Sequence, residues 1–77
     1  MYLSDLITQQ RAIVSKVQGT SLLSNRLEIL GFAPQVKIQI ITKGIFGGDP
    51  ILVQIGSSRF ALRKSEAQCI HVEGVDE

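Results

Sequence analysis

Three side chains near the end of the sequence have the types and spacing to hold a metal ion. Cys69, His71 and Glu73 alternate with Ile70 and Val72, so on an extended strand all three leave one face. Thiolate, imidazole and carboxylate together suit a borderline divalent cation such as zinc. Closed structural sites supply four protein ligands, however, and a solvated strand face produces the same alternation. The expectation is no resident metal and no cofactor, with this trio as the candidate if a metal is held. Catalysis has less to draw on. One His, one Cys and no convergent pair of carboxylates leave nothing from which to assemble an active site, so no enzyme is expected.

The run Gly44-Ile45-Phe46-Gly47-Gly48-Asp49-Pro50 invites a phosphate-binding reading. A P-loop places Gly-x-x-x-x-Gly-Lys-Ser/Thr between a strand and a helix, so that backbone N–H groups and the lysine cradle phosphate. Here no Lys-Ser/Thr follows the glycines, and the next segment reads as a strand. The loop is an ordinary turn. Ile45 and Phe46 at its tip either fold back over a barrel end or wait for a partner. Folding back is expected, because core area is scarce in a domain this small.

Two groups of charges complete the candidates. Arg59, Ala61 and Arg63 share the strand face opposite Phe60 and Leu62, and Lys64 adjoins them. This basic stripe could meet an acidic partner surface or RNA, or simply be solvated. RNA readers interleave exposed aromatics for stacking, whereas Phe60 is placed inward. Arg26 falls inside a helical arc formed by Leu22, Leu23, Leu27, Ile29 and Leu30. From there it can bury its stem and reach Asp49 or Glu66 as a structural anchor. The alternative leaves Leu22, Arg26 and Ile29 exposed as part of a docking surface.

The elements that position these residues follow from local signals. Leu3 and Leu6 are core contacts of a short lead-in, with Ser4 as a local cap. Arg11 to Val17 reads as a strand whose inward face is ambiguous, since both faces carry apolar residues. Thr20 or Ser21 caps a helix over about 21–30, which Gly31 ends and Pro34 keeps from resuming. Val36, Ile38, Ile40 and Thr42 alternate with Lys37, Gln39, Ile41 and Lys43 in a second strand. Ile51–Ile55 and Arg59–Arg63 flank Gly56-Ser57-Ser58 as a hairpin. A helical turn near 64–67 leads to a last strand over Cys69–Glu73, and Gly74 to Glu77 is expected to fray. About five short strands and one helix indicate a mainly β, small SH3-like barrel, closed so that no edge strand is left open.

The chain has 77 residues, 44% of them hydrophobic, and a formal charge of +1. One domain over 1–77 is expected, with a core marginal in size. The small net charge gives polyanion binding no general support. A lone cysteine favours a reducing compartment. Met1 to Leu6 lacks the basic start of a signal peptide, and no apolar run approaches the ~20 residues that span a bilayer. A cytoplasmic protein is expected, brought to a membrane only by a partner.

Taken in order, these segments resemble the FeoA family, small cytosolic accessory proteins of bacterial ferrous iron transport. The resemblance rests on Arg26-Leu27-Glu28-Ile29-Leu30 followed by Gly31-Phe32-Ala33-Pro34, then Gly48-Asp49-Pro50. Phe60-Ala61-Leu62-Arg63 with Glu66-Ala67 and Ile70-His71-Val72 completes it. The family is also similar to the SH3-like C-terminal domain of iron-dependent repressors. Two departures stand in turns: Gln9-Gln10 where such proteins often have Pro-Gly, and Gln35 in place of a frequent glycine. The resemblance implies a non-enzymatic adaptor that docks on the cytosolic part of FeoB, the ferrous iron permease with a GTP-binding domain. Phe46, Arg59 and Arg63 are the residues expected to meet that partner. A barrel that binds nucleic acid, or one that self-associates as a homo-oligomer through an open edge strand, is the alternative.

Overall fold

A computed structural model describes residues 1–74 of the chain. It opens with a 3-10 turn, Leu3–Asp5, followed by β1 (Arg11–Val17) and α1 (Ser21–Leu30). Then come β2 (Lys37–Gly44), β3 (Gly48–Ile55), β4 (Ser58–Leu62), the one-turn helix α2 (Lys64–Ala67) and β5 (Ile70–Gly74). Gly74 thus belongs to the last strand, and the fraying expected beyond it falls on residues 75–77, outside the described residues. The five strands form one antiparallel sheet in the order β4-β3-β2-β1-β5. Inward residues of every strand meet in a single cluster: Ala12 and Val14, Ile38 and Ile40, Ile51 and Val53, Leu62, Ile70 and Val72. Leu3, Leu6, Leu27, Phe32 and Ala67 fill the space the curled sheet leaves.

Both ends of α1 follow from the sequence. Thr20 Oγ1 accepts the Leu23 N–H at 3.2 Å, satisfying a donor that the first turn leaves without a partner. Gly31 ends the helix in the left-handed region at φ 115. Its N–H donates to the Glu28 carbonyl and the Phe32 N–H to the Leu27 carbonyl, both at 3.0 Å. This is the Schellman arrangement, in which the two bonding residues, Leu27 and Phe32, also share the core.

Three expectations need correction. Strict alternation along β2 fails at a bulge between Ile40 and Thr42. The extra residue swaps the faces beyond it, so Thr42 is exposed and Lys43 turns half-inward. There its Nζ donates to the carbonyls of Ser4 (3.2 Å) and Leu6 (3.1 Å), fastening the opening turn to the sheet. A second bulge, between Val14 and Lys16, exposes Lys16 and returns Val17 toward the core. The lead-in is capped by Asp5, whose Oδ2 accepts the Tyr2 N–H at 2.9 Å, and not by Ser4. Closure is incomplete as well: among the described residues β4 and β5 do not pair, and α2 merely joins these two end strands.

Each departure includes a positive-φ non-glycine residue: Gln9 (φ 71) of the Gln9-Gln10 pair, and Gln35 (φ 76). A side chain costs about 1–2 kcal/mol in this region, where glycine is at ease. Gln9 recovers part of that cost, because its Nε2 donates to the Ile41 carbonyl and its own carbonyl accepts from Gln39. Among the described residues Gln35 has only its backbone N–H bonded, to the Val14 carbonyl at 2.8 Å. Gln35→Gly should therefore raise stability by about 0.5–1 kcal/mol, after subtracting the entropy glycine gains when unfolded. Thermal unfolding would show this as a midpoint roughly 3–6 °C higher. Gln9→Gly should move the midpoint much less.

Candidate docking site

The tip of the β2–β3 hairpin carries its two large apolar side chains into solvent. Ile45 is 91% and Phe46 80% exposed, so the tip does not fold back over the core as expected. The core is already filled by the strands, the opening turn and Phe32. The base of the hairpin is held from two sides. Gly44 pairs with Gly48 across it, and Asp49 Oδ1 accepts the Lys64 N–H of α2 at 3.0 Å. The tip is thus presented on a braced stalk.

Arg59 on β4, and Arg63 and Lys64 just after it, are exposed, with Leu62 buried and Phe60 half-buried. The Arg59 Nε–H donates to Gln54 Oε1 at 3.0 Å. The Arg63 N–H donates to Glu66 Oε1 at 2.9 Å, opening α2. Arg63 lies just past Leu62, the last residue of β4, and next to the Asp49–Lys64 link. Arg59 lies four residues back, about 13 Å along the strand. Phe46 and Arg63 are brought toward one end of the domain, and Arg59 is not part of that group. Composition gave no signal for one further feature. Arg11, Gln39, Gln54 and Arg59 stand opposite one another across four strands, beside a shallow cleft of about 330 Å³ that Lys37 also lines.

The apolar arc of α1 divides in two. At about 100° per residue, Leu23, Leu27 and Leu30 span ~60° of the helix, and Leu22, Arg26 and Ile29 span a neighbouring ~60°. The first set is buried or half-buried; Leu22 and Ile29 are 83% and 84% exposed. Arg26 pairs with Glu66, one of its two expected partners, while Asp49 serves Lys64 instead. The Arg26 side chain stays 57% exposed, against 11% for Glu66. More than half of the side chain is therefore in solvent, and water screens the pair from that side.

The metal trio does not assemble. β5 begins at Ile70, so Cys69 precedes the strand and escapes its alternation. Cys69 packs against the core, its Sγ 3.6 Å from the Ser65 carbonyl. The His71 ring lies 4.4 Å from that of Tyr2, with Nε2 2.6 Å from Gln18 Oε1. Glu73 is exposed opposite Ile13. Among the described residues no three His, Cys, Asp or Glu side chains form a group able to hold a metal. Among them, too, no helix is long and apolar enough to cross a membrane.

A single antiparallel sheet curled round one core, with an exposed hairpin tip and a basic end strand, defines a small SH3-like β domain. The chain belongs to the FeoA family: the FeoA domain model matches residues 1–74. The zinc-complexed FeoA of Stenotrophomonas maltophilia, described as a prokaryotic SH3 domain protein, is 41% identical. It superimposes with a TM-score of 0.84 over 95% of this chain and 89% of that one. Iron(II) transport protein A of Clostridium thermocellum is 36% identical, with a TM-score of 0.90 over 97% of this chain and 46% of that one. The manganese regulator SloR shares the fold alone, at 13% identity and a TM-score of 0.81 over 97% of this chain and 34% of that one. None of the curated proteins compared matches the sequence.

Proposed function

We propose that this protein is a non-enzymatic adaptor of ferrous iron transport, docking on the cytosolic part of a FeoB-type permease. Family membership supports the iron-transport role, and the S. maltophilia relative is put forward as a candidate ferrous iron transport activating factor. The observation that carries docking is Phe46, 80% exposed on a braced hairpin. An aromatic side chain left in water is a cost unless a partner covers it, and buried aromatics and arginines dominate interface energetics. Arg63 stands at the same end of the domain, and Arg59 extends the contact along β4. The protein works at the cytosolic face of the membrane, recruited there by the permease.

Calorimetric titration with the cytosolic domains of the permease, with and without GTP, tests this reading. Phe46→Ala should weaken binding by roughly thirtyfold, the effect of losing an anchor worth about 2 kcal/mol. Its unfolding midpoint should stay close to the wild type, since surface changes cost within about 0.5 kcal/mol. Wild-type protein that binds under no nucleotide condition would sink the proposal.

A further inference from the structure

The two end strands of the sheet are not alike. Along β5 the chain supplies its own extra segment: Tyr2 bridges to His71, and the Val72 N–H donates to the Met1 carbonyl at 2.8 Å. Along β4, no hydrogen bond among the described residues joins the backbone to any segment but β3. The Gly56-Ser57 turn makes Ile55 and Ser58 the first pair of that ladder. Antiparallel bonding alternates from there, so the N–H and C=O groups of Arg59 and Ala61 turn away from β3. The side chains at this open edge are Arg59 and Ala61, with Arg63 just beyond, all exposed. Among the described residues neither arginine is in an ion pair.

We propose that the free edge of β4 takes up an extended acidic segment of a partner protein as a sixth strand. Its backbone pairs with Arg59 and Ala61, and carboxylates on alternate residues meet Arg59 and Arg63. Strand addition draws affinity from main-chain hydrogen bonds and selectivity from alternate side chains, and here the alternate side chains are cations. The same charges weigh against a second copy of this chain. Two β4 edges paired antiparallel about Ala61 would set Arg59 opposite Arg63 of the other copy, and like charges directly opposite destabilise a sheet. RNA could meet the arginines but has no peptide backbone to continue the ladder. The inference rests on the adaptor reading only for whose segment this is.

The test uses the full-length protein and an end-blocked seven-residue peptide of alternating Glu and Val. Three controls accompany it: the Lys–Val counterpart, a backbone N-methylated Glu–Val peptide, and an oligouridylate of equal charge. The Glu–Val peptide should shift the amide resonances of Arg59 and Ala61 and slow their hydrogen exchange at least tenfold. None of the controls should do so. Equal protection by the lysine peptide or the oligouridylate, or shifts confined to another surface, would overturn the proposal. Ala61→Pro removes an outward N–H at an edge position that tolerates proline and should weaken peptide binding at least tenfold. If that variant does not fold, the double substitution Arg59→Glu and Arg63→Glu replaces it and should reverse the preference toward the lysine peptide. A Glu–Val peptide that leaves Arg59 and Ala61 unprotected, with permease domains that bind wild type and variant equally, would refute the edge and leave the adaptor reading standing. An edge that takes the peptide while the permease domains bind nowhere would do the reverse.

Discussion

Leu27→Ala should lower the unfolding free energy by about 2–5 kcal/mol, the cost of deleting a buried leucine and leaving part of its volume empty. Leu27 is the one fully buried residue of α1; Leu23 and Leu30 flank it half-covered. It also lends its carbonyl to the Phe32 N–H in the Schellman turn, so its side chain and backbone both fix the way the helix leaves for β2. In a 77-residue domain the loss appears as a midpoint lower by roughly 10–30 °C. Exchange of the α1 amides should rise with it. Leu22→Ala and Ile29→Ala are the comparison. Each removes a leucine or isoleucine from the same helix, yet both side chains are more than four-fifths exposed, so each should change stability by less than about 0.5 kcal/mol. Urea unfolding of the three variants measures the difference. Equal losses in all three would mean that the second half of the apolar arc packs against the domain after all.

Gly44→Ala should cost about 3 kcal/mol or more, for a steric reason. The backbone at Gly44 is ordinary, but a Cβ there would collide with the carbonyl of Asp49 and come within 2.7 Å of the Pro50 nitrogen. Backbone cannot rotate aside as a side-chain tip can, and overpacking of this kind costs about 1–3 kcal/mol even where side chains absorb it. The hairpin base must therefore open, shifting Ile45 and Phe46 together with the Asp49–Lys64 link. Calorimetry should show a midpoint lower by roughly 12–24 °C, and permease binding should fall although Phe46 is intact. Gly74→Ala is the control: nothing lies within 4 Å of its Cβ position, and it should be neutral.

How far the site could be read from sequence differs from one residue to the next. The inward placement of Leu62 and the outward placement of Arg59 and Arg63 follow from a period of two that runs unbroken over β4. The same rule fails on β2, because a bulge adds one residue and no residue type announces it. It fails for Cys69 because α2 runs on into the turn before β5. The family resemblance was legible in the order of segments, and two of its three departing glutamines, Gln9 and Gln35, are the non-glycine residues at positive φ among those described.

Local chemistry alone determined the helix over 21–30, its Gly31 stop, the number of strands and their places along the chain, and which residues of a regular strand share a face; it offered Thr20 or Ser21 as the cap, and the structure chose Thr20. These depend on bonds and periods spanning a few neighbours, so the sequence carries them directly. Only the tertiary structure decided that Glu66 and not Asp49 receives Arg26, that half of the α1 apolar arc stays in water, that Phe46 is left exposed and that β4 keeps an open edge. Each of these depends on how much area a curled five-stranded sheet can cover, and on which segments dozens of residues apart reach that area first. A small core holds only so many side chains. Those left outside are the ones available to a partner.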